Sequence, residues 1–290
     1  MSVHGNNLTT KLSHKTKYRD PESKQYLQEI LGKYKQWKTE NIKLKGPYSK
    51  PKASDIDIIT ERVRLFNDYK DFLDQQHYAE KFDSRSNLHS SVLEEFLEYL
   101  FIDMVKEIDV DALIGKAHAF KDIFFLGDSF KDYLALPEIK IELKDHDFVI
   151  GISIDADFAS KTKSGQVSKD IFDLPVVAIE CKTYLDKTML EGASTSGSQL
   201  KNRNPDTLYL VCAEWLKLSN AVNLSKYDVD QIFVLRKQKN TDREFRYADN
   251  YTKNPIYSDV VEAMFNMVRK HLTTDWDTSL STGLARGWLK

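Results

Sequence analysis

Residues 174–185 read LPVVAIECKTYL, and this stretch constrains the fold more than any other. Its apolar lead, Val176 to Ile179, marks a strand that is buried rather than half-exposed. Side chains alternate across a strand, so Glu180 and Lys182 point one way while Ile179 and Cys181 point the other, under a helix. A carboxylate and an ammonium on one face of a buried strand are costly without compensation. Two compensators fit: a plain Glu–Lys ion pair, or a metal ion and a phosphate.

The rest of the chain places that strand in an α/β setting. Helical apolar spacing runs through KQYLQEILGKYKQWK (24–38), IITERVRLFNDYKDFLD (58–74) and SVLEEFLEYLFIDMV (91–105), with the breaker-rich KGPYSKPKASD between the first two. The third helix carries Val92, Leu93, Phe96, Leu97, Leu100, Phe101 and Met104 on a stripe wide enough to dock on a sheet. From about residue 120 the texture changes. DIFFL, EIKIEL, DFVIGISI, PVVAIEC, TLYLVCAEW and QIFVLR read as strands. Between the fourth and fifth lies DKTMLEGASTSGSQLKNRN (186–204), read as a crossover helix with an irregular or glycine-rich middle, and YSDVVEAMFNMVRKHL (257–272) is again helical. Helices, then a strand meander, then a strand–helix–strand crossover predict a mixed sheet flanked by helices. Residues 1–85 read as a helical, basic extension suited to DNA binding or dimerisation, and 86–290 as the catalytic domain.

Composition narrows the class. At 41% hydrophobic and 30% charged the chain is ordinary for a globular protein, and it has no apolar run near the length of a membrane span. The sequence MSVHGNNLTTKLSHK has no apolar centre of the kind a secretory signal needs. Cys181 and Cys212 lie in apolar runs, which suits a reducing cytoplasm and makes a poor zinc site. Residues 1–52 hold twelve Lys or Arg against four acids, so a net charge of −2 hides a basic arm on an acidic body. Such an arm fits a polyanion partner by counterion release, or is a solvated, frayed end.

Upstream of the strand, ELKDHDFVIG supplies Asp145 and Asp147, which share a face by alternation. An acid on one strand facing Glu-x-Lys on its neighbour is what metal-dependent phosphodiester hydrolysis requires. Carboxylate oxygens hold Mg²⁺, which acidifies a bound water, and a nearby ammonium favours the hydroxide. Glu138-Ile-Lys140, Glu142-Leu-Lys144 and Glu22-Ser-Lys24 match the same short pattern. Only Glu180 and Lys182 follow an apolar run and precede a crossover helix.

With DHDFVIG, VVAIECKTYLDKTML, LYLVCAEWLKL and IFVLRKQKN in this order, and SVLEEFLEYLF upstream, residues 82–243 resemble the BbvCI family of Type II restriction endonucleases. That family lies within the PD-(D/E)XK nuclease superfamily. The resemblance implies a Mg²⁺-dependent endonuclease acting on double-stranded DNA, leaving a 5′-phosphate. Its partner is a second nuclease subunit (heterodimer) or a second copy (homodimer). It further implies Asp147 and Glu180 as metal ligands, Cys181 as the carbonyl ligand and Lys182 as the catalytic lysine. The Pro-Asp of the superfamily's name is replaced by DHD, so Asp145 stands beside Asp147 as a candidate, with Asp147 favoured because it starts the apolar strand.

Glu94 and Glu95 match the helix carboxylate that many such nucleases add to the metal site. On a helical wheel Glu95 lies nearly opposite the apolar stripe and Glu94 nearer its edge, where a solvated face is the plain alternative. Lys201 and Arg203 after the crossover helix, with Arg236, Lys237, Lys239 and Arg243 after IFVL, are candidate DNA contacts or ordinary surface charges. EGASTSGS lacks the Gly-Lys-Ser/Thr of a phosphate loop. His146 should point away from the acidic pair and serve as a core or edge histidine. The remaining histidines are scattered, and Trp215, Trp276 and Trp288 read as packing residues. Two rivals stand beside the restriction enzyme: a DNA-binding subunit without chemistry, and a structure-specific repair or recombination nuclease.

Overall fold

Apolar alternation in the second half of the chain builds one five-stranded sheet in the order β1-β2-β3-β4-β5. The computed structural model describes residues 2–82, 88–161, 167–239, 252–276 and 280–288. Strands β1 (Leu113–Leu126), β2 (Glu138–Ala159) and β3 (Val167–Leu185) form an antiparallel meander, and β4 (Leu208–Leu216) and β5 (Gln231–Val234) continue parallel to β3. EIKIEL and DFVIGISI, expected as two strands, are one continuous β2, because the polar KDHD between them keeps its ladder to β1. The result is the mixed, helix-flanked sheet that the sequence predicts.

Helices α1 (Val3–Leu12), α2 (Pro21–Lys43), α3 (Asp55–Leu73), α4 (Gln76–Lys81) and α5 (Ser90–Ile108) precede the sheet. Two more helices, α6 (Phe130–Ala135) and α7 (Lys187–Lys201), connect strands, and α8 (Ser258–Thr273) and α9 (Leu280–Arg286) follow. Local signals start several of them: Asp20 caps α2, with Pro21 in its first turn, and Asp186 caps α7 by accepting from the Met189 N–H at 2.8 Å. The crossover segment is an unbroken helix rather than the irregular stretch expected. Its Gly197 is dictated by packing, since a Cβ there would stand 2.3 Å from the Asp228 carbonyl oxygen and 2.9 Å from the Tyr209 ring.

Two apolar layers enclose the sheet. Phe148, Ile150, Val177, Ile179, Cys181, Leu210 and Cys212 share one core with α5 and α8, while Val149, Ala178, Tyr209, Val211 and Ala213 pack against α7. The first core does not stop at the sheet. It runs on through Phe66, Val63, Trp37, Ile30 and Leu27 to Leu8, so α1, α2 and α3 are stacked on α5. The segment expected as either a polyanion-binding arm or a frayed end is therefore folded from Val3 onward. Its linker is closed by Arg62, whose guanidinium donates to the carbonyls of Asn41, Leu44 and Gly46 at 3.1, 3.0 and 2.9 Å. Gly46 there has φ +85°, a conformation that favours glycine.

Buried charge joins the same layers. Glu214 on β4 meets Lys70 of α3 at 2.9 Å and Arg236 at 3.2 Å, all three essentially inaccessible. Arg236 also donates to the Asn254 carbonyl at 2.7 Å and lies over the Trp215 ring. In contrast, β1 and β2 run past the core: between Phe120 and Asp145 no residue is buried. Among the described residues, no helix is long and apolar enough to cross a membrane.

Removing one member of a buried ion network strands its partners. Glu214→Leu should lower stability by about 3–5 kcal/mol, read as a reduced urea midpoint at an unchanged slope.

Candidate active site

Glu180, Lys182 and Asp147 converge where β2 and β3 pair. Lys182 Nζ donates to Asp147 Oδ2 and to Glu180 Oε2, both at 2.8 Å, and the Cys181 N–H donates to Asp147 Oδ2 at 2.9 Å. The three side chains retain 13–26% of their surface and sit at the margin of a cleft of about 370 Å³. Asp147, Cys181 and Lys182 line it together with Glu94, Lys116 and Ser90. The decoy pairs behave as surface charges: Glu138 and Lys140 pair with each other in solvent, and Glu142 pairs with Lys121.

The electrostatics follow from partial burial of three charges. Burial raises the Glu180 carboxyl, but His146 and Lys182 overcome it and hold the pKa down at about 2. Burial works against the Lys182 ammonium, yet Asp147 and Glu180 together lift it above the ordinary lysine range. Glu94 lacks such a partner, so burial and the neighbouring Asp147 push it up to about 7. Burial alone is the largest influence on the Cys181 thiol and pushes it well up, so this cysteine contributes packing and backbone rather than a thiolate.

A β-bulge separates Asp145 from Asp147. Gly115 pairs with Val149 but Ala117 pairs with His146, so β2 carries one extra residue across this interval. Alternation is interrupted there, and two sequence expectations fail together. Asp145 does not share a site with Asp147. It is 61% exposed and bound to His118 at 2.5 Å. His146 does not point away from the acids. It is 2% exposed, with Nδ1 3.2 Å from Glu180 Oε1. Tyr209, which sequence reasoning passed over, donates to the same oxygen at 3.0 Å. Its parity on β4 matches that of Glu180, but only the Glu180–Val211 register brings the two together.

Glu94 and Glu95 part company. Glu94 faces the cleft, whereas Glu95 accepts from the backbone N–H groups of His4 and Gly5 at 2.9 and 3.2 Å and from the hydroxyls of Tyr34 and Tyr99 at 2.8 and 2.6 Å. The solvated face expected for Glu95 is covered by α1, and the residue is an anchor for that helix rather than a metal ligand. Arg236, read as a DNA contact, is likewise corrected: it is fully buried against Glu214. Lys201, Arg203, Lys237 and Lys239 stay at the surface, paired with Asp230, Asp122, Asp259 and Asn220. Arg243 lies outside the described residues.

Comparison with known proteins closes the identification. The profile of the Bpu10I restriction endonuclease family matches residues 85–289. The chain belongs to that family. It is therefore a nuclease of the restriction endonuclease kind, and the matched region includes every residue of the cleft except Ala79 and Phe82. Among solved structures the chain is similar to one described as "native BbvCI A2B2 tetramer at low resolution". The likeness has a TM-score of 0.62 at 19% identity, over 90% of this chain and 95% of that chain, and it is one of fold. No curated protein sequence matches.

The donor set is consistent with a hard divalent cation. Among the described residues, no three His, Cys, Asp or Glu side chains gather closely enough to hold a metal by themselves. Asp147 and Glu180 supply two carboxylates at an open cleft, which suits a cation such as Mg²⁺ that keeps waters and takes substrate phosphate.

In the folded chain Glu94 keeps its proton up to about pH 7, against an ordinary value of 4.5, so the folded state binds more protons between those values. Stability contributed at this position is lost as pH rises from 5 to 8. Glu94→Gln removes that loss and should gain on the parent by about 3 kcal/mol across the window, measured by urea unfolding at both pH values without metal.

Proposed function

We propose that this chain is the subunit of a Type II restriction endonuclease that hydrolyses double-stranded DNA with Mg²⁺, using Asp147, Glu180 and Lys182. The observation that carries the reading is the contact of Lys182 with both Asp147 and Glu180 beside a cleft in a restriction endonuclease chain. Asp147 and Glu180 would hold the cation, with the Cys181 carbonyl as a further ligand and Glu94 facing them. When bound, Mg²⁺ lowers the pKa of a water and neutralises charge on the scissile phosphate. Lys182, kept cationic by its two carboxylates, donates to the attacking water and favours its negatively charged form. Lys201, Arg203, Lys237 and Lys239 are candidate phosphate contacts that would exchange their present partners for DNA.

The chain would act with a second nuclease subunit, as the A2B2 description of its structural neighbour suggests. The hairpin of β1, α6 and β2 supports this. Phe124, Phe125, Leu126 and Phe130 are each 45–78% exposed on an extension that buries nothing of its own. A hairpin without a core is marginal in water, and exposed apolar side chains grouped on one suit a partner surface. Replacing Phe125 and Phe130 by Ser should weaken subunit association in sedimentation experiments while leaving each chain's melting temperature close to the parent's.

The reading is tested on supercoiled plasmid with Mg²⁺. Lys182→Ala should cut slower by on the order of 10²–10³-fold, and chelation should abolish cutting. Nicked circles from the lone chain would place the second strand's chemistry in another subunit. Cleavage by Lys182→Ala at the parent's rate would overturn the assignment.

A further inference from the structure

The geometry points to His146 and Tyr209 as positioning residues that lock the Glu180 carboxylate in the orientation it needs to bind metal. This rests on the reading of Glu180 as a metal ligand and extends it to two buried residues behind that carboxylate.

Both act on one oxygen. The Tyr209 hydroxyl is 3.0 Å and His146 Nδ1 is 3.2 Å from Glu180 Oε1, while Oε2 is the oxygen that shares Lys182 with Asp147. Held from behind by two groups, the carboxylate has little freedom to rotate, and Oε2 is turned toward Lys182. Neither group competes with solvent, since His146 is 2% exposed and Tyr209 fully buried. Their rings meet edge to face, centroids 5.9 Å apart at 79°, so each fixes the other.

Three features of the fold exist around this pair. The β2 bulge carries His146 onto the face that alternation would deny it. Gly197 leaves room on α7 for the Tyr209 ring, where a side chain would collide. The register of β3 on β4, with Glu180 beside Val211, brings the hydroxyl within reach. Hydrogen-bonded partners of this kind orient ligating carboxylates, and losing one usually weakens metal binding.

The experiment is Mn²⁺ titration of the full-length chain without DNA, followed by electron paramagnetic resonance, on Tyr209→Phe, His146→Leu, His146→Asn and Glu180→Gln. Tyr209→Phe and His146→Leu should each bind Mn²⁺ about tenfold more weakly, and their cleavage rates should recover at raised metal concentration. His146→Asn, whose amide nitrogen can replace Nδ1 as donor, should regain most of the affinity. Thermal melts identify any variant that does not fold, and the Tyr209→Phe result then decides alone. Unchanged Mn²⁺ affinity in Tyr209→Phe and His146→Leu, with binding lost in Glu180→Gln, would overturn the positioning role and spare the site. Unchanged affinity in Glu180→Gln would overturn both.

Discussion

One ammonium shared by two carboxylates at the edge of an apolar sheet sets the terms for everything near it. Burial works against the charge on Lys182, and Asp147 and Glu180, each 2.8 Å from its ammonium, more than offset that cost. The surrounding structure supplies what remains. The Cys181 amide satisfies Asp147 from the backbone, and His146 and Tyr209 satisfy the far oxygen of Glu180. At Glu94, burial and Asp147 outweigh the opposing pull of Lys116 and Lys182, and its pKa is pushed up to about 7. The site is thus a charge cluster compensated largely by its own members, with Glu94 at its margin.

How much of this was legible depends on the range over which each feature is determined. Glu180 and Lys182 stood out because strand parity is a local property, and an apolar run of four residues fixes it. The crossover and the order of helices and strands were legible for the same reason. Asp147 was favoured over Asp145 only because it starts the apolar strand; their placement on different faces was not legible, because a bulge is a mismatch between two strands and leaves no mark on one of them. The placement of His146 failed on the same bulge. Glu95 looked solvated on its helix because nothing local announces that His4 and Gly5 fold back over it. Arg236 was read as a DNA contact or a surface charge because its acidic partners, Glu214 and Asp74, come from a distant strand and a distant helix end.

The amino-terminal helices are tied to the site more directly than their composition suggests. Glu94 and Glu95 are neighbours on α5: one faces the cleft and the other is held by the first turn of α1. A basic segment that reads as an appendage therefore helps set the pitch and depth of the helix that walls the active site. Its surplus of Lys and Arg lies around that structural task, with the apolar residues Leu8, Leu27, Ile30 and Trp37 doing the packing.

The unbroken apolar cluster from Leu8 to Val268 bears on how the molecule comes apart. The family profile begins at residue 85, and the described residues before and after that segment share one apolar cluster. Helices that share one core with a sheet, and are cross-linked to it by a buried Lys70–Glu214 contact, gain little from staying folded once the sheet is lost. Loss of either part exposes the other's interior, so the helices before the matched region and the sheet within it should unfold in one transition.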